Sequence, residues 1–193
     1  MLFNHSWPSL DKMSKPTYTV KSYDLVTDYK LIKQLNWDIV SDRYNQNAPE
    51  TLTKEEENFT YHDDMDATTC YVIFNKKDEP VGNLFVLHKD NVAHAGEPCR
   101  SCSISYFFIA TSHQKKQYGR HLLNYVMKQE CMNAWQNHFA FVRFTLRVQL
   151  GKEKVLIKYY QTFGFLLCDK IFSKVIPNRI MYCLFQNPSS TCL

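Results

Sequence analysis

A short basic segment, residues 114–120, is the part of this chain whose residue types and spacing point to chemistry. It follows an apolar run at 104–109, typical of a strand, and precedes residues 120–135, which have the apolar spacing of a helix. A loop between a strand and a helix start presents backbone N–H groups and the positive end of the helix dipole to an anion. The segment therefore predicts a site for a phosphorylated cofactor.

Side chains in this loop suit the same ligand. Lys115, Lys116 and Arg120 supply cationic donors for phosphate oxygens. Gly119 has no side chain to keep a pyrophosphate away from the backbone. The ordinary alternative is a strand-to-helix turn whose lysines are simply solvated.

Length and composition bound the class of protein. The 193 residues suffice for one domain with a real core, and 45% apolar with 22% charged residues is typical of a globular protein. No segment approaches the ~20 apolar residues of a membrane span, and residues 1–15 lack the pattern of a secretory signal. Seven irregularly spaced cysteines indicate a reducing compartment, so we expect a cytoplasmic or nuclear protein.

Charge is distributed unevenly along the chain. Residues 113–180 are strongly basic, whereas residues 50–66 contain a single lysine and seven acids: Glu50, Glu55, Glu56, Glu57, Asp63, Asp64 and Asp66. This asymmetry predicts two partners of opposite sign. A solvated acidic segment is the ordinary alternative.

The coarse pattern predicts an α/β (α+β) single domain at 17–186, between a flexible N-terminal tail at 1–16 and a C-terminal tail at 187–193. Its element order is β-α-α-β-β-β-α-β-α-β-β, with a mixed central sheet of six to seven strands flanked by about four helices. Residues 90–100 are expected to form a polar loop. The predicted strands are 17–23, 70–74, 81–88, 101–110, 139–150, 165–168 and 180–185; the helices begin after a cap at Asp24 or Thr27 and at Thr53, and cover 120–135 and 155–163.

Three motifs in this order are similar to those of the GCN5-related N-acetyltransferase (GNAT) superfamily. The segment 78–82 resembles the family hairpin in which a glycine, here Gly82, lies early in the third strand. The loop matches Arg/Gln-x-x-Gly-x-Gly/Ala at Gln114 and Gly119, but Gln117 replaces the middle glycine. The segment 160–165 matches Tyr-x-x-x-Gly-Phe, although the family's upstream Asn and Ala are Glu153 and Leu156.

The resemblance, which covers about residues 17–186, implies an acetyl-coenzyme A-dependent N-acetyltransferase that transfers acetyl directly to a primary amine in a ternary complex. It implies that Tyr160 protonates the departing thiolate or orients its sulfur, whereas packing in the core is the ordinary alternative. None of the seven cysteines falls at a recognised nucleophile position. The implied cofactor-binding residues are Phe108, Ile109, Gln114, Lys115, Lys116, Gln117, Tyr118, Gly119 and Arg120.

A general base is not assigned. Many relatives place a Glu where this chain has Ser103. The open candidates are Glu153, an acid within 55–66, His88, His113, Tyr106 and a chain of water molecules.

The sequence also bears on a metal site, on an alternative function and on the partners. A zinc site at His88, His94, Cys99 and Cys102 lacks a second Cys pair, so no metal is predicted. A catalytically inactive acyl-coenzyme A-binding regulatory relative is the alternative function, since Gln117 and the missing acid both depart from the family. Nucleic acid is not predicted as a partner, no membrane association is expected, and the acceptor could be a small amine, a polyamine, an aminosugar, or a protein lysine or N-terminus. The sequence does not predict the oligomeric state.

Overall fold

The structure, a computed structural model, describes residues 18–44, 68–149, 153–171 and 178–189. Its elements follow the predicted order. The second helix, expected at Thr53, lies outside the described residues. The strands are β1 (Tyr18–Asp24), β2 (Thr68–Asn75), β3 (Pro80–His94), β4 (Glu97–Ile109), β5 (Phe141–Gln149), β6 (Leu166–Ile171) and β7 (Asn178–Gln186); the α-helices are α1 (Tyr29–Tyr44), α2 (Tyr118–Gln136) and α3 (Glu153–Gln161).

The seven strands form one mixed sheet in the order β1-β2-β3-β4-β5-β7-β6. Strands β4 and β5 pair in parallel, whereas β2 pairs antiparallel with β1 and β3, and β7 pairs antiparallel with β5 and β6. The predicted α/β class with a mixed central sheet is confirmed. Among the described residues, none of the helices has the length and apolar character that crossing a membrane requires.

Contacts between Cα atoms divide the chain into two compact units. The N-terminal unit contains the described parts of 11–87 together with 106–126. The C-terminal unit contains 88–105 and the described parts of 127–193.

In the N-terminal unit, strand β2 is buried on both faces. Cys70, Val72 and Phe74 alternate along the strand and pack in one cluster with Ile32 and Ile39 of α1. Tyr71, on the opposite face, lies edge-on to the ring of Tyr125 in α2, with 6.4 Å between centroids. A strand covered on both sides has no polar alternation, which is why residues 70–74 form a continuous apolar run.

Asp24, one of the two predicted cap residues, caps the turn that leads into α1. Its carboxylate accepts backbone hydrogen bonds from Val26 and Thr27, at 3.0 and 2.9 Å, and its carbonyl accepts one from the Asp28 N–H at 3.0 Å. The helix itself begins at Tyr29, and the Asp28 carbonyl accepts a bond from Ile32 at 2.9 Å.

The predicted polar loop at 90–100 is wrong. In the C-terminal unit, β3 continues to His94 and β4 already begins at Glu97, so a tight hairpin turn replaces the loop. Ala95 and Gly96 both have positive φ, 53° and 86°, as a two-residue hairpin turn of the I′ type requires. Asp90 and Arg100 pair across the hairpin through two hydrogen bonds of 2.8 and 3.0 Å. These strands are exposed and contain charged residues, so their composition resembles that of a loop, and this is why the sequence predicted one.

The rest of the C-terminal unit is built around β5. Its residues 141–146 pair with 99–104 of β4, and all nine of its residues pair with β7. Phe144 of β5 is fully buried, and its ring meets Phe185 of β7 edge-on at 5.9 Å. The strand boundaries predicted from alternation at 139–150 are confirmed to within two residues.

Candidate active site

The basic loop is anchored at its start. The Ala110 N–H donates to the Val81 carbonyl of β3 at 2.9 Å, so the chain leaves β4 at a fixed point. A 3-10 turn follows at Thr111–His113, and the Gln114 side chain donates back to the Ile109 carbonyl at 3.2 Å. Gln114, which matches the first position of the loop motif, therefore ties the loop to the end of β4.

Backbone angles in the loop alternate in sign. Lys115 has φ 60° and Gln117 has φ 69°, whereas Lys116 and Tyr118 are not in the positive-φ region. Successive residues that alternate between right- and left-handed conformations turn their N–H groups toward one concave side, a geometry known as a nest. Gln117 thus adopts the conformation that a glycine would adopt at the middle position of the motif.

Five consecutive N–H groups are available in this nest. The first helical bond of α2 runs from the His121 N–H to the Gln117 carbonyl at 3.0 Å. Within the part of the chain that the structure describes, the backbone N–H groups of residues 115–119 donate to no backbone carbonyl. Unbonded N–H groups at a helix start, together with the helix dipole, favour a bound anion.

The charged side chains of the loop are positive, so they also favour a bound anion. Lys115, Lys116 and Arg120 are exposed, and the first turn of α2 contains no acid. Burial lowers the pKa of His121, whose ring stacks on Tyr18, and the nearby positive charge of Arg120 lowers it further. The loop is therefore both an array of donors and a positively charged surface.

The last residues of β4 lie beside Gly82 of β3. A Cβ on Gly82 would lie 2.8 Å from the Phe108 carbonyl oxygen and would also collide with Cδ1 of Ile109. Just before this point Tyr106 has φ 46°, which interrupts the extended strand. Gly82 therefore permits a close approach of β3 to Phe108 and Ile109, two of the residues that the family resemblance implies bind the cofactor.

Tyr160, in the C-terminal unit, lies in the last turn of α3. Gly164 has φ 85°, and the Phe165 N–H donates back to the Tyr160 carbonyl at 3.3 Å, which ends the helix. The Tyr160 ring meets Tyr159 and Phe165 edge-on, with centroids 5.3 and 5.9 Å apart. The requirement for left-handed φ explains the glycine of the Tyr-x-x-x-Gly-Phe motif.

The side chain of Tyr160 is half-buried, on a helix, α3, in which no residue is fully buried. Burial raises the pKa of Tyr160 to about 12, so the group stays protonated at neutral pH. Among the described residues, its hydroxyl has no hydrogen-bond partner. A neutral donor without a partner is available to a ligand.

The candidates for the general base lie in different settings. Glu153 is in the first turn of α3, where a carboxylate stabilises the helix start. His113 lies 2.9 Å from the Ser112 hydroxyl, and Tyr106 is half exposed. His88 is 2.9 Å from a carboxylate oxygen of Glu130. Acids within 55–66 lie outside the described residues.

Sequence reasoning did not single out Glu130, which the structure buries beside His88. It occupies an apolar position of the α2 stripe and is 1% exposed. A charged residue on the buried stripe of a helix was the available signal, because such a group requires a partner.

The four residues of the zinc site that the sequence analysis rejected, His88, His94, Cys99 and Cys102, do not meet at one point. Cys99 and Cys102 are three residues apart in β4, so their side chains point to opposite faces of the sheet. Cys99 packs with Ala140 and Phe141, and His94 lies edge-on to Phe141 at 4.9 Å. The four residues considered from the sequence therefore do not converge, although His88 and Cys102 do.

Comparison with known proteins gives the class and then the family. Residues 32–165, more than half of the chain, match the family described as "Acetyltransferase (GNAT) family". The protein is thus an N-acetyltransferase by class. This chain belongs to the acetyltransferase (GNAT) family.

Solved structures agree with the fold. An acetyltransferase from Streptococcus agalactiae is 17% identical, with a TM-score of 0.52 over 88% of this chain and 99% of that one. A mutant spermidine N-acetyltransferase from Vibrio cholerae is 18% identical, with a TM-score of 0.51 over 87% and 94%. At these identities the similarity is one of fold. No curated protein matches this sequence.

Proposed function

We propose that this protein transfers acetyl from acetyl-coenzyme A to a cationic primary amine, directly and within a ternary complex. The observation that carries the proposal is the nest at residues 115–119, with five unbonded N–H groups at the start of α2. A pyrophosphate is the ligand that such an array of donors, next to three exposed cations, fits best.

Residues 114–120 bind the pyrophosphate in this account. Main-chain donors provide most of the recognition, so the exchange of the middle glycine for Gln117 leaves the donors in place. The positive φ of Gln117 speaks against the inactive alternative, for which this substitution was one of two arguments. Phe108 and Ile109 contribute backbone groups to the pantetheine arm.

In the proposed reaction, the amine first loses a proton to a base, and its nitrogen then attacks the thioester carbonyl. The C–N bond forms, the C–S bond breaks, and sulfur leaves as a thiolate that takes up a proton. A phenol with a pKa of about 12 is a weaker acid than an ordinary thiol of about 8.5, so complete proton transfer from it to sulfur is uphill. We therefore assign to Tyr160 a hydrogen bond that orients the sulfur and stabilises negative charge on it.

A cationic acceptor follows from charge. The seven acids of the segment 50–66 create a negative region that attracts ammonium groups. This argument rests on the sequence, since that segment lies outside the described residues. The spermidine N-acetyltransferase of V. cholerae, similar in fold, shows by its name that a polyamine is one acceptor used on this scaffold.

Incubation with acetyl-coenzyme A and a panel of amines tests the proposal. Free thiol should appear in step with an acetylated amine, with cationic amines preferred over anionic ones. Binding of coenzyme A without thiol release from any amine would favour the inactive regulatory alternative. Absence of coenzyme A binding would refute the role of the nest itself.

A further inference from the structure

Three potential metal ligands from separate elements converge inside the C-terminal unit. His88 lies on β3, Cys102 on β4 and Glu130 on α2. One ligand atom from each lies within 4.8 Å of the other two, and Nε2 of His88 is 2.9 Å from Oε2 of Glu130. We propose that His88, Cys102 and Glu130 form a zinc site.

Burial is the first argument for a cation here. Cys102 is fully buried, the Glu130 side chain is 2% exposed, and that of His88 is 15% exposed. A carboxylate removed from water needs a compensating charge, because an isolated buried ion costs several kcal/mol. The nearby guanidinium of Arg100, a protonated His88 and a bound cation each offset this charge, and of these only a bound cation also recruits the thiol of Cys102.

The donor set is the second argument. Imidazole nitrogen, thiolate sulfur and carboxylate oxygen together suit zinc, which accepts all three and prefers four ligands in a tetrahedron. Three protein ligands leave one position for water. Bonds of about 2.0 to 2.3 Å place tetrahedral donors about 3.3 to 3.8 Å apart. Side-chain movements of about 1 Å bring separations between 2.9 and 4.8 Å into that range.

The surrounding charges do not prevent binding. Arg100, on the same face of β4 as Cys102, is held by Asp90 in a two-bond pair of 2.8 and 3.0 Å, which offsets its positive charge. Zinc binding breaks the S–H bond of Cys102, forms the Zn–S bond and releases one proton to solvent.

Cys99 provides a matched control for Cys102. Both thiols are fully buried on β4 and free, but they lie on opposite faces of the strand. Replacing either by Ser removes a buried sulfur from the same strand. Only the Cys102→Ser change removes a proposed ligand.

The experiment titrates the full-length, chelator-treated protein with Zn²⁺ in competition with a coloured indicator. The expected result is one zinc per chain, at least about 100-fold weaker binding in Cys102→Ser and in His88→Gln, and affinity within about twofold of the parent in Cys99→Ser. Cobalt substitution should give a thiolate charge-transfer absorption that Cys99→Ser retains.

If Cys102→Ser does not fold, the proposal is tested instead by comparing the parent protein with the isosteric variant Glu130→Gln. The parent should then show a zinc-dependent rise in melting temperature, reversed by chelator, and Glu130→Gln a much smaller one. No zinc uptake by the parent, uptake lost equally in Cys99→Ser, or a cobalt spectrum without thiolate absorption would overturn the proposal.

Discussion

Gly82 of β3 and Phe108 of β4 approach so closely that a methyl group on Gly82 would lie 2.8 Å from the Phe108 carbonyl oxygen. Real Cβ atoms do not approach a carbonyl oxygen so closely, and a backbone atom cannot move aside as a flexible side chain can. A side chain at position 82 would therefore displace the end of β4.

Replacing Gly82 by Ala should weaken coenzyme A binding at least about tenfold and lower the free energy of unfolding by about 1 to 3 kcal/mol. The displaced residues, Phe108 and Ile109, are those proposed to pair with the pantetheine arm. Titration calorimetry with coenzyme A and urea unfolding measure the two effects.

Gly96→Ala is the control for this variant. Its Cβ would meet nothing within 4 Å, but its φ of 86° strains any other residue. Stability should fall by about 1 kcal/mol while coenzyme A affinity stays unchanged. Equal loss of affinity in both variants would show that lowered stability alone explains the effect at Gly82.

The φ of 69° at Gln117 predicts a graded series of variants. Left-handed φ costs an ordinary residue about 1 to 2 kcal/mol, less for Asn, and most for a β-branched residue. Gln117→Gly and Gln117→Asn should bind coenzyme A about as tightly as the parent or more tightly, and Gln117→Val should bind at least about fivefold more weakly. Equal affinities for Gly and Val would mean that the nest is not the binding determinant.

Removal of the Tyr160 hydroxyl should separate turnover from binding. Tyr160→Phe keeps the ring contacts with Tyr159 and Phe165 but loses the donor, so kcat should fall at least about tenfold while coenzyme A affinity stays within about twofold. Tyr159→Phe, on the adjacent residue, should leave both nearly unchanged. Parental turnover in Tyr160→Phe would remove the assigned role.

Stability should decline in alkaline solution. Burial raises the pKa of Cys70 from 9.0 to about 12, so above pH 9 the unfolded chain loses this proton while the folded chain keeps it. The folded state then binds more protons, and the free energy of unfolding falls as pH rises from 9 toward 12, by up to about 1.4 kcal/mol per pH unit for this group. Urea unfolding between pH 7 and 10.5 measures the slope. Cys70→Ala should make the slope shallower without abolishing it, because burial also raises the pKa values of Cys131 and Cys183. A slope unchanged in that variant would contradict the assignment.

Local chemistry explains which features could be predicted from the sequence. The strand, basic loop and helix around Gly119 have distinct signals, and so has the helix end at Gly164, where φ is left-handed. The hairpin at Ala95 could not be predicted, because its exposed strands carry charged residues such as Asp90 and Arg100 that resemble a loop. The positive φ of Gln117 and the meeting of Glu130 with His88 depend on tertiary structure, which overrides residue preference.

The central claim is tested most directly by following both products of the reaction at once. The protein is incubated with acetyl-coenzyme A and, separately, spermidine, α-blocked lysine, an aminosugar and glutamate, while released thiol and the mass of each amine are measured. The account predicts thiol in equal amount to an amine heavier by one acetyl group, with the cationic acceptors preferred. Coenzyme A that binds to the nest while no amine gains an acetyl group would contradict it.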